Sequence, residues 1–207
     1  MTSVQACGPG SFGALRRLVR PRAPAERCEL CSQDLAPEHP HLLELPSRQL
    51  VCSCETCAVL FSGQQSARYR RVPRGRRFLT DFRMTDAQWE GLLIPINLAF
   101  FCANSSAGKV VALYPSPAGA TESLLPMETW QGLVDENPVL RELEPDVEAL
   151  LVNRVGEARD YYRVPIDECY KLVGLIRANW RGLSGGAEVW AEIGRFFTRL
   201  KESSGPP

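Results

Sequence analysis

The sequence predicts an α+β fold, with a small four-cysteine metal module ahead of an antiparallel sheet and C-terminal helices. Three observations carry that prediction. Two C-x-x-C pairs stand close together near the N-terminal end, at Cys28-Glu-Leu-Cys31 and Cys54-Glu-Thr-Cys57. Between residues 97 and 164, short apolar runs alternate with turns rich in glycine, proline and serine. Beyond Pro165, apolar residues recur at the helical period. At 207 residues and 44% apolar composition, the chain is long enough for one compact domain with a small module attached. The predicted divisions are a disordered tail over 1–25, a metal module over 26–63 and an α+β domain over 64–207.

The tail is dominated by Gly, Pro, Ala and Arg, which discourage regular structure. At most, Ser11 to Val19 forms a short basic helix. Gly8-Pro-Gly-Ser-Phe-Gly13 fits G-x-G-x-x-G, but no strand precedes it and no βαβ unit encloses it, so it is not a nucleotide loop. Cys7 lies in this tail with no assigned role.

Five cysteines compete for four places in the module: Cys28, Cys31, Cys52, Cys54 and Cys57. Choosing Cys28, Cys31, Cys54 and Cys57 gives both pairs the same knuckle spacing, and four thiolates satisfy a closed tetrahedral site. Cys52 could replace Cys54, because residues two apart on a strand share a face. His39 and His41 are the only histidines in the chain. Each is an alternative ligand to this site or to a second, open one; the competing reading is a polar loop around Pro40. Between the pairs, His41 to Leu45 and Arg48 to Cys52 read as a hairpin turning at Pro46-Ser47, and Ala58 to Phe61 as a short helix stopped near Gly63. Knuckle, hairpin and helix make a treble-clef-like or zinc-ribbon-like module. Zinc is the expected metal; iron in the same four thiolates would give a rubredoxin-like electron carrier.

Arg68, Arg70, Arg71, Arg74, Arg76 and Arg77 follow the module. A metal module beside arginines suits a zinc-dependent nucleic-acid binder, yet only Tyr69 and Phe78 offer stacking faces. The expectation is that the cluster pairs with acidic groups and that nucleic acid is not the partner. Residues 1–80 hold 12 Arg against 6 Asp/Glu, a net of +6, and residues 81–207 carry the compensating −6.

The second domain is predicted in order. Thr85 caps a helix through Leu93, with Trp89, Leu92 and Leu93 turned inward. Strands follow at Asn97–Ala103, Lys109–Tyr114 and Ala120–Leu125. A helix over Pro126–Asn137 carries Met127, Trp130, Leu133 and Val134 at helical spacing. A strand pair at Val147–Val155 and Arg159–Val164 turns at Gly156. Pro165–Trp180 is an amphipathic helix, Gly182 to Gly186 breaks the chain, and Val189 to Leu200 marks a last helix before a frayed end. Cys102 and Cys169 fall on apolar faces as buried thiols.

No catalytic set emerges, so the chain is expected not to be an enzyme. Gly182-Leu-Ser184-Gly-Gly186 fits G-x-S-x-G, but a helix precedes it where a nucleophile elbow needs a strand. Asp160, Asp167 and Glu168 flank a strand-to-helix junction, where carboxylates ordinarily complement the helix dipole. The small and polar stretch from Tyr114 to Glu122 is either two turns or the lining of a small-molecule pocket. The most apolar run, Leu92 to Cys102, is too short to span a bilayer and contains Pro95 and Asn97. No apolar segment follows Arg16-Arg17, so no export signal is read and a cytoplasmic location, with free thiols, is expected.

Several stretches resemble a bacterial family of unassigned function typically encoded beside nickel–iron uptake hydrogenase genes. They are Cys28-Glu-Leu-Cys31, His39-Pro-His41, Cys52-Ser-Cys54-Glu-Thr-Cys57, Tyr114 to Ser123, Leu150 to Arg154 and Trp180 to Gly186. The resemblance implies an accessory role, with a hydrogenase subunit or maturation protein as partner. It carries no assigned activity or functional residue.

Overall fold

The computed structural model describes residues 26–63, 68–182 and 185–205. The N-terminal tail, with Cys7, the G-x-G-x-x-G match and the short basic helix, lies outside the described residues, as do Leu183 and Ser184 of the G-x-S-x-G match.

Two antiparallel sheets organise the chain. The smaller joins β1 (His41–Glu44), β2 (Gln49–Cys52) and β3 (Tyr69–Arg71) in the order β2-β1-β3, with helix α1 (Glu55–Ser62) packed over it. The first strand of the basic segment, β3, thus belongs to the module's own sheet. The larger sheet contains β4 (Arg77–Phe78), β5 (Leu98–Asn104), β6 (Lys109–Ser116), β7 (Gly119–Ser123), β8 (Glu148–Asn153) and β9 (Asp160–Pro165). Their order is β4-β9-β8-β5-β6-β7, antiparallel throughout.

Alternation along these strands builds two cores. Leu98, Phe100 and Cys102 of β5, with Leu151 of β8 and Tyr162 of β9, face the helices α4 (Ile166–Asn179) and α5 (Gly186–Ser203). Ala99 and Phe101, with Leu150 and Val152, face α2 (Asp86–Gly91), α3 (Met127–Glu136) and the 3-10 turn Pro138–Glu142. Burial on both sides explains why β5 and β8 read as continuous apolar runs. Leu43 and Val72 join the first core, so the metal module docks on the same face as α4 and α5.

Several expectations are corrected in detail. Thr85 caps α2 through a capping box with Gln88, but the helix ends at Gly91 and Leu93 takes φ 58° with its side chain exposed. Only Trp89 and Leu92 turn inward. Met127 is half exposed at the first turn of α3, and Trp190 of α5 is partly exposed too. Tyr114 to Glu122 is one hairpin that turns at 117–118, with Tyr114 opposite Thr121 and Pro115 opposite Ala120, in place of two turns or a pocket lining.

The turn into α5 requires glycine. Gly185 has φ 84°, and a Cβ there would stand 2.8 Å from Val189 Cγ1 and 3.1 Å from the Trp180 ring. Gly186 has φ 76° with nothing nearer than 3.8 Å. Gly185→Ala should therefore cost about 2 kcal/mol in urea denaturation, and Gly186→Ala about 1 kcal/mol from the backbone alone. Equal losses would show that the Val189 contact does not contribute.

Candidate metal centre

The first pair of cysteines sits in a tight knuckle. The Cys28 N–H donates to the Gln33 carbonyl (2.8 Å) and the Ser32 N–H to the Cys28 carbonyl (2.7 Å), while Ser32 takes φ 64°. Arg27 and Asp34 bridge across its base. The second pair is set by a helix start. Cys54 is the N-cap of α1, and its sulfur accepts from the Cys57 N–H at 3.4 Å. The N–H of Glu29 donates to the Cys52 carbonyl (2.9 Å), which holds the knuckle against the strand leading into Cys54.

These elements bring Cys28, Cys31, Cys54 and Cys57 together, all four sulfurs within 4.8 Å of one another. Cys31 and Cys54 are 3.7 Å apart. A tetrahedral ion with bonds of about 2.3 Å needs sulfurs about 3.8 Å apart, so the spacing fits a four-coordinate ion. Cys28, Cys54 and Cys57 are buried and Cys31 faces solvent. Burial pushes the Cys28 thiol up, but backbone hydrogen bonds at Cys54, Leu30 and Cys31 outweigh it and bring it down to about 6. Burial and the neighbouring sulfurs of Cys54, Cys31 and Cys28 push Cys57 well up. Four thiolates at this spacing would repel one another, and a bound cation compensates that charge. The four-cysteine cluster can therefore hold a metal ion.

Cys52 does not join this group. Its sulfur lies with one ring nitrogen each of His39 and His41, the three atoms within 4.8 Å of one another. Buried Ser53 stands between the two clusters. Its N–H and its hydroxyl both donate to the Pro40 carbonyl, at 3.0 and 3.1 Å, fixing the Cys52–Cys54 segment beside the His39-Pro-His41 segment. His41 Nδ1 lies 2.9 Å from Asp167 Oδ2 at the start of α4. The sequence places both histidines in the metal module and Asp167 at a helix start, but carries no local signal for the contact between His41 and Asp167, 126 residues apart.

The arginine segment is largely committed to internal ion pairs. Arg68 pairs with Glu44, Arg71 with Glu55 (2.5 Å), Arg70 with Asp146 (3.7 Å) and Arg76 with Glu168 (2.5 Å). The carboxylates at the head of α4 are likewise distributed. Asp167 faces His41, Glu168 takes Arg76 and Lys171, and Asp160 lies near Lys201. They do not converge on one another. Among the described residues, no helix is long and apolar enough to cross a membrane.

The model of a protein family, DUF5947, described as a family of unknown function, matches residues 27–204. No curated protein and no solved structure matches the chain.

Proposed function

This chain belongs to the DUF5947 family of unknown function, and we propose that it is a non-catalytic, zinc-binding accessory protein that works through protein–protein contacts. The observation that carries the reading is helix α1. It starts at two of the four clustered cysteines, buries Cys57 and Ala58, and leaves Val59, Leu60 and Phe61 exposed at 60%, 65% and 45%. Three consecutive large apolar side chains in water are costly unless a partner covers them. A metal at the helix N-terminus would hold that face rigid, which lowers the entropy lost on docking. The pairing of four arginines with carboxylates of this chain leaves less charge for phosphate and favours a protein partner over a nucleic acid.

The motif resemblance suggests the partner class, a nickel–iron hydrogenase subunit or maturation protein. Affinity purification of the tagged chain from its native host, in parallel with a Leu60→Asp/Phe61→Asp variant, tests this. Hydrogenase components should accompany the wild type and be lost from the variant, with its thermal stability little changed. Their absence from both preparations would remove the hydrogenase assignment, and equal recovery would remove α1 as the docking face. A red, iron-containing protein would replace zinc with the electron-carrier alternative.

A further inference from the structure

We propose that His39, His41 and Cys52 form a second metal site, distinct from the four-cysteine cluster, that takes a transition-metal ion of the zinc class and leaves one coordination position open. The ligand set suits such ions: two imidazoles and one thiolate.

The hydrogen bonds settle which ring nitrogens are available. His39 Nδ1 lies 3.0 Å from the Ala36 carbonyl. A carbonyl can only accept, so Nδ1 carries the proton and the lone pair sits on Nε2. His41 Nδ1 faces the Asp167 carboxylate, which fixes the same tautomer. Carboxylate, imidazole and metal in that order is the usual way a metal-bound histidine is oriented. The His39 side chain is only 6% exposed, and its Nε2 is buried without a hydrogen-bond partner. A buried, unpaired acceptor is costly, and an ion between Nε2, the second imidazole and the Cys52 sulfur would satisfy it.

The surroundings suit an open site. Both histidines line a cleft of about 530 Å³, which Glu26, Glu38, Arg74 and Lys171 line as well. The protein supplies three ligands, and a fourth would come from water or a small ligand in the cleft that both histidines line. The carboxylates of Asp167 and Glu26 offset the ion's charge, Glu26 lying 3.5 Å from His39 Nδ1. The four-cysteine cluster has no such vacancy, since its four sulfurs complete a tetrahedron. The inference is independent of the docking role proposed above.

Native mass spectrometry of the reduced, full-length protein with added Zn²⁺ tests this directly. The wild type should take two ions and the His39→Ala/His41→Ala variant one. Asp167→Asn, which acts by positioning His41, should weaken the second ion by roughly 10- to 100-fold and leave the first unchanged. Co²⁺ supplies a second readout, since loss of the histidines should remove the bands of a mixed nitrogen–sulfur site and retain those of a tetrathiolate. A wild type that takes no second ion, or a double variant that binds two as tightly, overturns the proposal. Circular dichroism matching the wild type guards against a folding defect in the variants. A chain that binds at the histidines and not at the four cysteines would instead overturn the four-cysteine reading and leave this one standing.

Discussion

Cys57→Ser should release the ion from the four-cysteine site and unfold the knuckle end of the module while the large sheet survives. The reason is the distribution of apolar core. Around the knuckle, among the described residues, the buried cluster consists of Cys28, Cys54 and Cys57, with Leu30 and Leu35 partly buried against it. So small a group cannot offset the conformational entropy of ordering the surrounding chain. A structural ion bound by four thiolates contributes on the order of 10 kcal/mol of apparent folding free energy, and losing one ligand forfeits most of it. The six-stranded sheet has two cores of its own, containing Phe100, Leu151 and Tyr162 on one side and Phe101, Trp130 and Leu133 on the other. Hydrogen exchange should therefore show protection lost over residues 26–36 and 53–62 and retained over β5, β8 and β9. A chelator strong enough to strip the wild type should reproduce the same pattern. Unchanged protection in metal-free protein would mean that packing alone holds the knuckle.

The parts of this fold that were legible in the sequence are those fixed by local chemistry. The C-x-x-C spacing is a property of a few bonds, and the four sulfurs do converge. Thr85 with Gln88 three residues later is a local cap signal, and it forms. The predicted strands at 97–103, 109–114 and 147–155 fall within a few residues of β5, β6 and β8. What was not legible depends on contacts between distant segments. Nothing local says that β8 lies between β5 and β9, because strand order is decided by which apolar faces the helices cover. Cys52 and Cys54 share spacing that suits one strand face, yet the strand ends at Cys52 and the chain turns into α1, so their sulfurs go to different clusters. The run Ala58 to Phe61 reads locally as a short helix, but nothing local says that Cys57 and Ala58 are buried while Val59, Leu60 and Phe61 stay exposed. Leu93 failed as a core residue because a left-handed backbone at the end of α2 redirects its side chain.

Arg48→Ala should be the most damaging single change outside the metal ligands, costing about 3 to 5 kcal/mol. Arg48 closes the β1–β2 hairpin, where its N–H donates to the Glu44 carbonyl at 2.8 Å. Its backbone takes φ 55°, a conformation that favours glycine. What compensates is its side chain, which leaves the module and reaches the large sheet. There Nη1 donates to Asp146 Oδ1 at 3.0 Å, and Nη2 lies 3.6 Å from the Cys102 sulfur. The Asp146 side chain is fully buried and its backbone also takes a left-handed φ, of 70°. Its other contacts are the Ser105 N–H at 2.9 Å and a longer approach of Arg70 at 3.7 Å. Without Arg48 the carboxylate keeps its burial and loses its main counter-charge, and that uncompensated charge is the large part of the cost. Thermal unfolding should fall by roughly 6 to 20 °C, at about 2 to 4 °C per kcal/mol for a chain of this length. Arg48→Gly should be milder by about 1 kcal/mol, because glycine relieves the backbone while losing the same ion pair. Arg48→Met with Asp146→Leu should cost less than Arg48→Met alone, since the double change removes the stranded charge as well. If Arg48→Ala melts within a degree or two of the wild type, Arg70 and solvent are enough to carry Asp146. If the double change is the worse of the two, the pair stabilises the docking of module on sheet by more than it costs to bury.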